Sequence, residues 1–142
     1  MSSQLPDVSM TLEQLDGEVW GPAEWQSSLV LTCYRLHRTP LQEFTPDDYR
    51  RMIAQGFCLE YLAPPALNLL VDDPLLEKDP WPGDLLCTLL TSERSFWAAH
   101  PELRRSLSSI AEAARLRLNA IESSERLAED FHDALLQFQR VA

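Results

Sequence analysis

Glycine is scarce in this 142-residue chain, with four residues in all. That leaves no glycine-rich phosphate loop, and no serine-centred nucleophile elbow or framed pair of catalytic carboxylates takes its place. Val and Ile are also few, five and three against 25 Leu. Strands favour β-branched residues while Leu loses little in a helix, so this imbalance argues against a sheet. Cysteine is limited to Cys33, Cys58 and Cys87, an odd and widely spaced set with apolar flanks. Neither C-x₂₋₄-C nor H-x₃₋₅-H occurs, which removes the recognisable zinc patterns and any disulfide framework. No apolar run approaches the ~18 residues of a membrane span. Met1-Ser2-Ser3-Gln4 lacks the basic-then-apolar start of an export signal. The expectation is a soluble protein of a reducing cytoplasm with three buried thiols.

What is present is enough apolar material for one core. At 45% apolar, with four Trp, five Phe and three Tyr, the chain can offset its conformational entropy and form a single domain. Ten Pro supply the punctuation that glycine does not.

Residues 1–10 are polar and are expected to be flexible, leaving 11–142 as one helical domain. Thr11 caps a short helix, Leu12 to Asp16, stopped by Gly17. A second helix, about Ser28 to Arg38, would turn Leu29, Cys33 and Leu36 inward and end before Pro40. Thr45-Pro46-Asp47-Asp48 opens a third, which closes at Gly56. Residues 57–71 read as a helix interrupted or kinked at Pro64-Pro65, with Leu59, Leu62, Leu67 and Leu70 inward. The proline-rich segment 72–84 reads as a loop. Gly83-Asp84 opens a helix of Leu85, Leu86, Leu89 and Leu90, and Ser92 is expected to cap the next, which holds Phe96 and Trp97. From Pro101, apolar residues step by three and four through Leu103, Leu107, Ile110, Ala114, Leu118 and Ile121. The stripe can continue through Ala128, Phe131, Leu135 and Phe138, with a break at Glu122-Ser123-Ser124. There is no internal repeat of solenoid length. The predicted fold is an all-α, compact single-domain bundle of about seven or eight helices, ending in a long helix or helix pair over 101–142.

Charge is distributed unevenly. Residues 1–100 carry 15 acids against 6 bases, and 101–142 carry 7 against 6, so nine of the ten net negative charges lie in the first hundred residues. Such a surface repels nucleic acid and membrane headgroups and attracts basic proteins. Two acidic clusters stand out, each beside tryptophan. Glu13, Asp16, Glu18 and Glu24 surround Trp20 and Trp25; Asp72, Asp73, Glu77 and Asp79 precede Trp81. Acids around an aromatic anchor have the composition of a protein interface. Solvated loops and helix ends are the alternative for any one of these acids.

Other constellations are weaker. Cys33 and His37 are one helical turn apart, but a thiol–imidazole dyad needs an orienting third group that the sequence does not supply. A buried Cys beside a boundary His is the simpler reading. His37, His100 and His132 have no metal-site spacing with the cysteines. Glu129-Asp130-Phe131-His132 is one Glu-x-x-His quartet where a di-iron bundle uses two. Arg104, Arg105, Arg115 and Arg117 lie among acids, as on a salt-bridged surface. No catalytic residue, metal site or cofactor is expected.

Seven segments occur in one order: Thr11–Leu15 with Trp20, Leu29–Cys33 with His37, Pro40–Thr45, Arg51–Gln55, Leu59–Pro64, Pro82–Leu86 and Phe96-Trp97. Together, over about residues 11–103, they resemble the immunity proteins of bacterial contact-dependent growth inhibition systems. The resemblance implies a cytoplasmic, non-enzymatic protein that binds one cognate toxin domain and blocks it. Such toxins are commonly nucleases, whose phosphate-binding face is basic, so an acidic inhibitor is complementary to them. On this reading Glu13, Asp16, Glu18, Asp72, Asp73, Glu77 and Asp79 supply charge, and Trp20 and Trp81 are anchors. The alternatives are an acidic helical adaptor that binds another basic protein or dimerises through its C-terminal helices, and a small enzyme or metal protein using Cys33, His37 and His132.

Overall fold

The structure, a computed structural model, describes residues 5–21, 27–77, 82–120 and 125–140. Among them are eight α-helices and no strand: α1 Leu12–Asp16, α2 Ser28–His37, α3 Pro46–Ala54, α4 Leu59–Val71, α5 Asp84–Leu90, α6 Arg94–Ala99, α7 Pro101–Ala120 and α8 Glu125–Gln139. A short 3₁₀ turn, Leu41–Glu43, links α2 to α3. The all-α expectation holds.

Local chemistry explains the starts of the early helices. Gln14 N–H donates to Thr11 Oγ1 (3.1 Å) and Thr11 N–H to Gln14 Oε1 (2.9 Å), a reciprocal cap that satisfies two otherwise orphan donors. Gly17, at φ 72°, closes α1 in the left-handed region, where a side chain would be strained. Thr45 and Asp48 repeat the reciprocal cap on α3, with Pro46 in its first turn. Residues 7–10, in the segment read as polar and flexible, form a turn. Leu41 N–H donates to Met10 O and Gln42 N–H to Val8 O.

α4 runs from Leu59 to Val71 without the interruption expected at Pro64-Pro65. Both prolines are buried, among eight buried residues of the thirteen in the helix. Packing of Leu62, Ala63, Ala66, Leu67 and Leu70 therefore opposes the loss of two helical N–H donors. α4 packs on α3 and α7, α3 on α5, and α5 on α8. Buried residues from every helix form one cluster, in which Trp97, Leu36, Met52, Leu62, Leu86 and Leu107 are almost wholly shielded.

Several expected faces shift. Leu29 is exposed, and α2 instead buries Cys33, Leu36 and His37. On α8 the buried set is Phe131, Ala134 and Phe138; Ala134 takes the inward place expected for Leu135, which is half-buried, and Ala128 is exposed. Ser92 does not cap α6. Its hydroxyl donates to Leu89 O (2.6 Å) and accepts from Trp97 Nε1 (2.8 Å), which satisfies the indole of a fully buried ring, and Glu93 occupies the cap position. Of the three thiols only Cys33 is buried; Cys58 and Cys87 are half-buried. Ile121, Glu24, Trp25, Asp79 and Trp81 lie outside the described residues.

Candidate functional site

The two acidic clusters lie at opposite ends of α4. Asp16, from the first, touches Cys58 at the N-terminal cap of α4, and Asp72, from the second, is its C-terminal cap. Thirteen helical residues rise about 20 Å, and that separates the clusters. The helix dipole treats them differently. An anion is favoured near the N-terminus and disfavoured near the C-terminus, so the second cluster adds formal charge to a helix end that is already negative.

The first cluster is largely consumed by the fold. Asp16 Oδ1 accepts from Glu18 N–H (2.8 Å), and Oδ2 accepts from the Cys58 thiol (3.4 Å) and meets His37 Nε2 (3.0 Å). Burial pushes the Asp16 carboxyl up, but the hydrogen bonds from His37, Glu18 and Cys58 outweigh it and leave the group below its usual range. The Cys58 thiol is pushed up to about 12 by burial, by its bond to Asp16 and by the charges of Asp16, Glu18 and Glu60. His37 is fully buried rather than at a boundary, and its Nδ1 has no hydrogen-bond partner among the described residues.

Trp20 closes this cluster from above. Its ring stacks on the His37 imidazole (centroids 3.9 Å, planes 6° apart) and meets Phe57 and the edge of Tyr34. Arg38 pins the segment by donating to Trp20 O (3.0 Å) and to Glu13 Oε2 (3.3 Å). Asp16 and Trp20 therefore hold together α1, α2 and the start of α4. Glu18 and Val19 remain exposed beside them.

The second cluster faces outward. Asp72 is exposed and Asp73 half-buried; Asp73 Oδ1 accepts from Glu77 N–H (3.4 Å), and neither acid forms an ion pair among the described residues. Glu77 differs: Arg117 of α7 grips both its oxygens (2.7 and 2.8 Å). That bond, with the nearby guanidinium charge, holds the Glu77 carboxyl below the usual range. Val71, the last residue of α4 before Asp72, is 63% exposed, so apolar surface adjoins that carboxylate.

The remaining sequence candidates do not assemble. Cys33 is buried in α2, His132 is exposed on α8, and His37 is engaged by Asp16. The apolar stripes of α7 and α8 are spent in the core, through Leu103, Leu107, Ile110 and Ala114 and through Phe131, Ala134 and Phe138. One further acidic feature had no sequence signal. A groove of about 330 Å³ between α3, α5 and α8 is lined by Arg50, Asp84, Asp130 and Asp133 around Cys87. No helix among the described residues is long and apolar enough to cross a membrane.

No curated protein and no solved structure matches the chain. Residues 14–107 match the family of CDI immunity proteins, over about two thirds of the sequence and over all the elements from α1 into α7. The match spans the capped early helices, the Asp16–His37–Cys58 cluster and the acidic C-terminal end of α4, so the chain belongs to the family of immunity proteins of contact-dependent growth inhibition, which neutralise a cognate toxin.

Proposed function

We propose that this protein neutralises its toxin in the cytoplasm by tight one-to-one binding without catalysis, and that the toxin is a nuclease with a basic, phosphate-binding face. The observation that carries this reading is the charge of Asp72 and Asp73 at the negative end of α4, without an ion pair among the described residues, beside exposed Val71. Such a surface offers a basic enzyme both a steering field and a small apolar contact. Asp79 and Trp81 continue the same segment and complete the interface with Glu77. Glu13 and Glu18 add long-range attraction from the other end of α4, while Asp16 and Trp20 hold the scaffold rather than the partner. Neither nucleic acid nor membrane is contacted directly, because the net charge of −10 repels both.

The test is a calorimetric titration of the protein with the toxin domain encoded immediately upstream, at low and high salt. One-to-one binding that weakens as salt rises, and that weakens again when Asp72, Asp73 and Asp79 are reversed to Lys, supports the reading. Unchanged affinity and salt dependence in that triple variant would remove the patch from the interface. The adaptor alternative has less support, since Leu103, Leu107, Ile110, Ala114, Phe131 and Phe138 of the C-terminal stripe are buried within the chain.

A further inference from the structure

From the Asp16–His37–Cys58 cluster we infer that this protein binds one zinc-class divalent cation, with Asp16, His37 and Cys58 as ligands and solvent in the fourth position. The inference concerns the isolated chain and is independent of the toxin reading.

Three elements separated in sequence bring one donor atom each to a single point. These are the last residue of α1, the last residue of α2 and the cap residue before α4. All three donor atoms lie within 4.8 Å of one another. Asp16 Oδ2 stands 3.0 Å from His37 Nε2 and 3.4 Å from Cys58 Sγ. Tetrahedral zinc with its usual bond lengths sets such pairs about 3.3–3.6 Å apart. The two pairs with Asp16 lie within a few tenths of an ångström of that range, and closing the His37 Nε2–Cys58 Sγ pair takes at most about 1 Å of side-chain movement.

The donor set is selective. A thiolate and an imidazole with one carboxylate suit zinc and its neighbours rather than magnesium or calcium, which prefer oxygen. The surroundings are anionic, since Glu18 and Glu60 join Asp16 in acting on Cys58. Asp16 and Cys58 are both partly accessible, which leaves a path for the cation and a place for water.

Two features are otherwise hard to account for. Cys58 sits at φ 52°, in the left-handed region that a non-glycine residue occupies only against strain. It is the cap of α4, yet its side chain makes no capping bond and is aimed at Asp16 instead. His37 is fully buried and its Nδ1 has no partner among the described residues, so Asp16, at Nε2, alone holds its tautomer. The ring proton can move from Nε2 to Nδ1 and free the Nε2 lone pair for the cation. The cation's charge must outweigh one unpaired buried N–H. Cys58 meanwhile gives up its S–H proton as the sulfur–metal bond forms, so binding releases one proton per cation.

The experiment is a titration of the metal-free, reduced full chain with Co²⁺, followed by displacement with Zn²⁺. The expected result is one equivalent bound, a thiolate-to-cobalt charge-transfer absorption that Zn²⁺ abolishes, and a rise in melting temperature with Zn²⁺. Cys58→Ser and Asp16→Asn should each weaken binding by at least about tenfold, the lower bound for loss of an outer-shell partner. Cys58→Asn, which tolerates the left-handed backbone, should fold and lose the absorption. Cys87→Ser should retain it and serves as the control for adventitious thiol binding. Absence of the band in the wild-type chain overturns the inference. So does a band that survives Cys58→Ser or that disappears with Cys87→Ser.

Discussion

The two ends of α4 carry similar formal charge and use it in opposite ways. At the N-terminal end Asp16 has given both oxygens to partners within the chain, and Trp20 lies flat on the histidine that Asp16 holds. At the C-terminal end Asp72 is exposed, while Asp73 is half-buried, accepts from Glu77 N–H (3.4 Å) and lies in the field of Arg117; neither forms an ion pair among the described residues. Desolvation accounts for the contrast. A carboxylate removed from water must be compensated by hydrogen bonds, and then acts as a structural joint. A solvated carboxylate stabilises little and keeps its field available to a partner. Proximity to a tryptophan in the sequence does not distinguish the two cases.

The comparison breaks most sharply at Asp16. Replacing it with Ala strands the buried His37 ring and the Cys58 thiol, and is expected to cost about 2–3 kcal/mol of stability. Chemical denaturation would measure this, and a loss below about 0.5 kcal/mol would show that Asp16 is no joint. The sign of the pH dependence follows from its lowered folded-state value. The stabilisation is fully present above the unfolded carboxyl's range and disappears as pH falls through the folded one. The acid limb of wild-type stability should therefore be steeper than that of Asp16→Asn. At the alkaline side the sign reverses for Cys58. Its contribution is complete below about 9 and is lost as pH rises toward about 12, a limb that Cys58→Ser should flatten.

Next in size is Gly83. Its φ is 82°, and a Cβ there would stand 2.5 Å from Leu127 Cδ1 of α8. The leucine end can move but the backbone strain cannot, so Gly83→Ala should cost about 1–2 kcal/mol. Thermal unfolding checks it. Reversal of Asp72 and Asp73 to Lys lies on the other side of the comparison. It should leave the melting temperature nearly unchanged while lowering toxin affinity about tenfold or more at low salt, by analogy with charge pairs at other steered interfaces. A large fall in stability would show these acids to be structural as well. The smallest effect is expected for Glu77→Gln, because its pairing with Arg117 is solvent-exposed and salt-screened. Its melting temperature should match wild type, and a clear drop would place Glu77 with Asp16 among the joints.

Much of the architecture was legible in the residues. Thr11 with Gln14, Gly17, Thr45-Pro46 with Asp48, and the inward leucines of α4 and α5 all stand where local chemistry puts them. The misreadings share one cause, competition from a distant partner. Ser92 looks like a cap but serves the Trp97 indole, and Leu29 fits the apolar phase of α2 yet yields the inward face to His37. His37 seems to belong with Cys33, one turn away in its own helix, but pairs with Asp16, 21 residues upstream. Cys58 lies another 21 residues on, a spacing with no local signature.

By itself the sequence determined that the chain is helical, where most helices begin and end, and that its first hundred residues are acidic. These are sums of local terms: backbone propensity, capping bonds, apolar periodicity and formal charge. Only the tertiary structure decided which acids are spent and which are displayed, and that Asp16, His37 and Cys58 meet. Those outcomes depend on desolvation and on contacts between residues far apart in the chain, which no local pattern records.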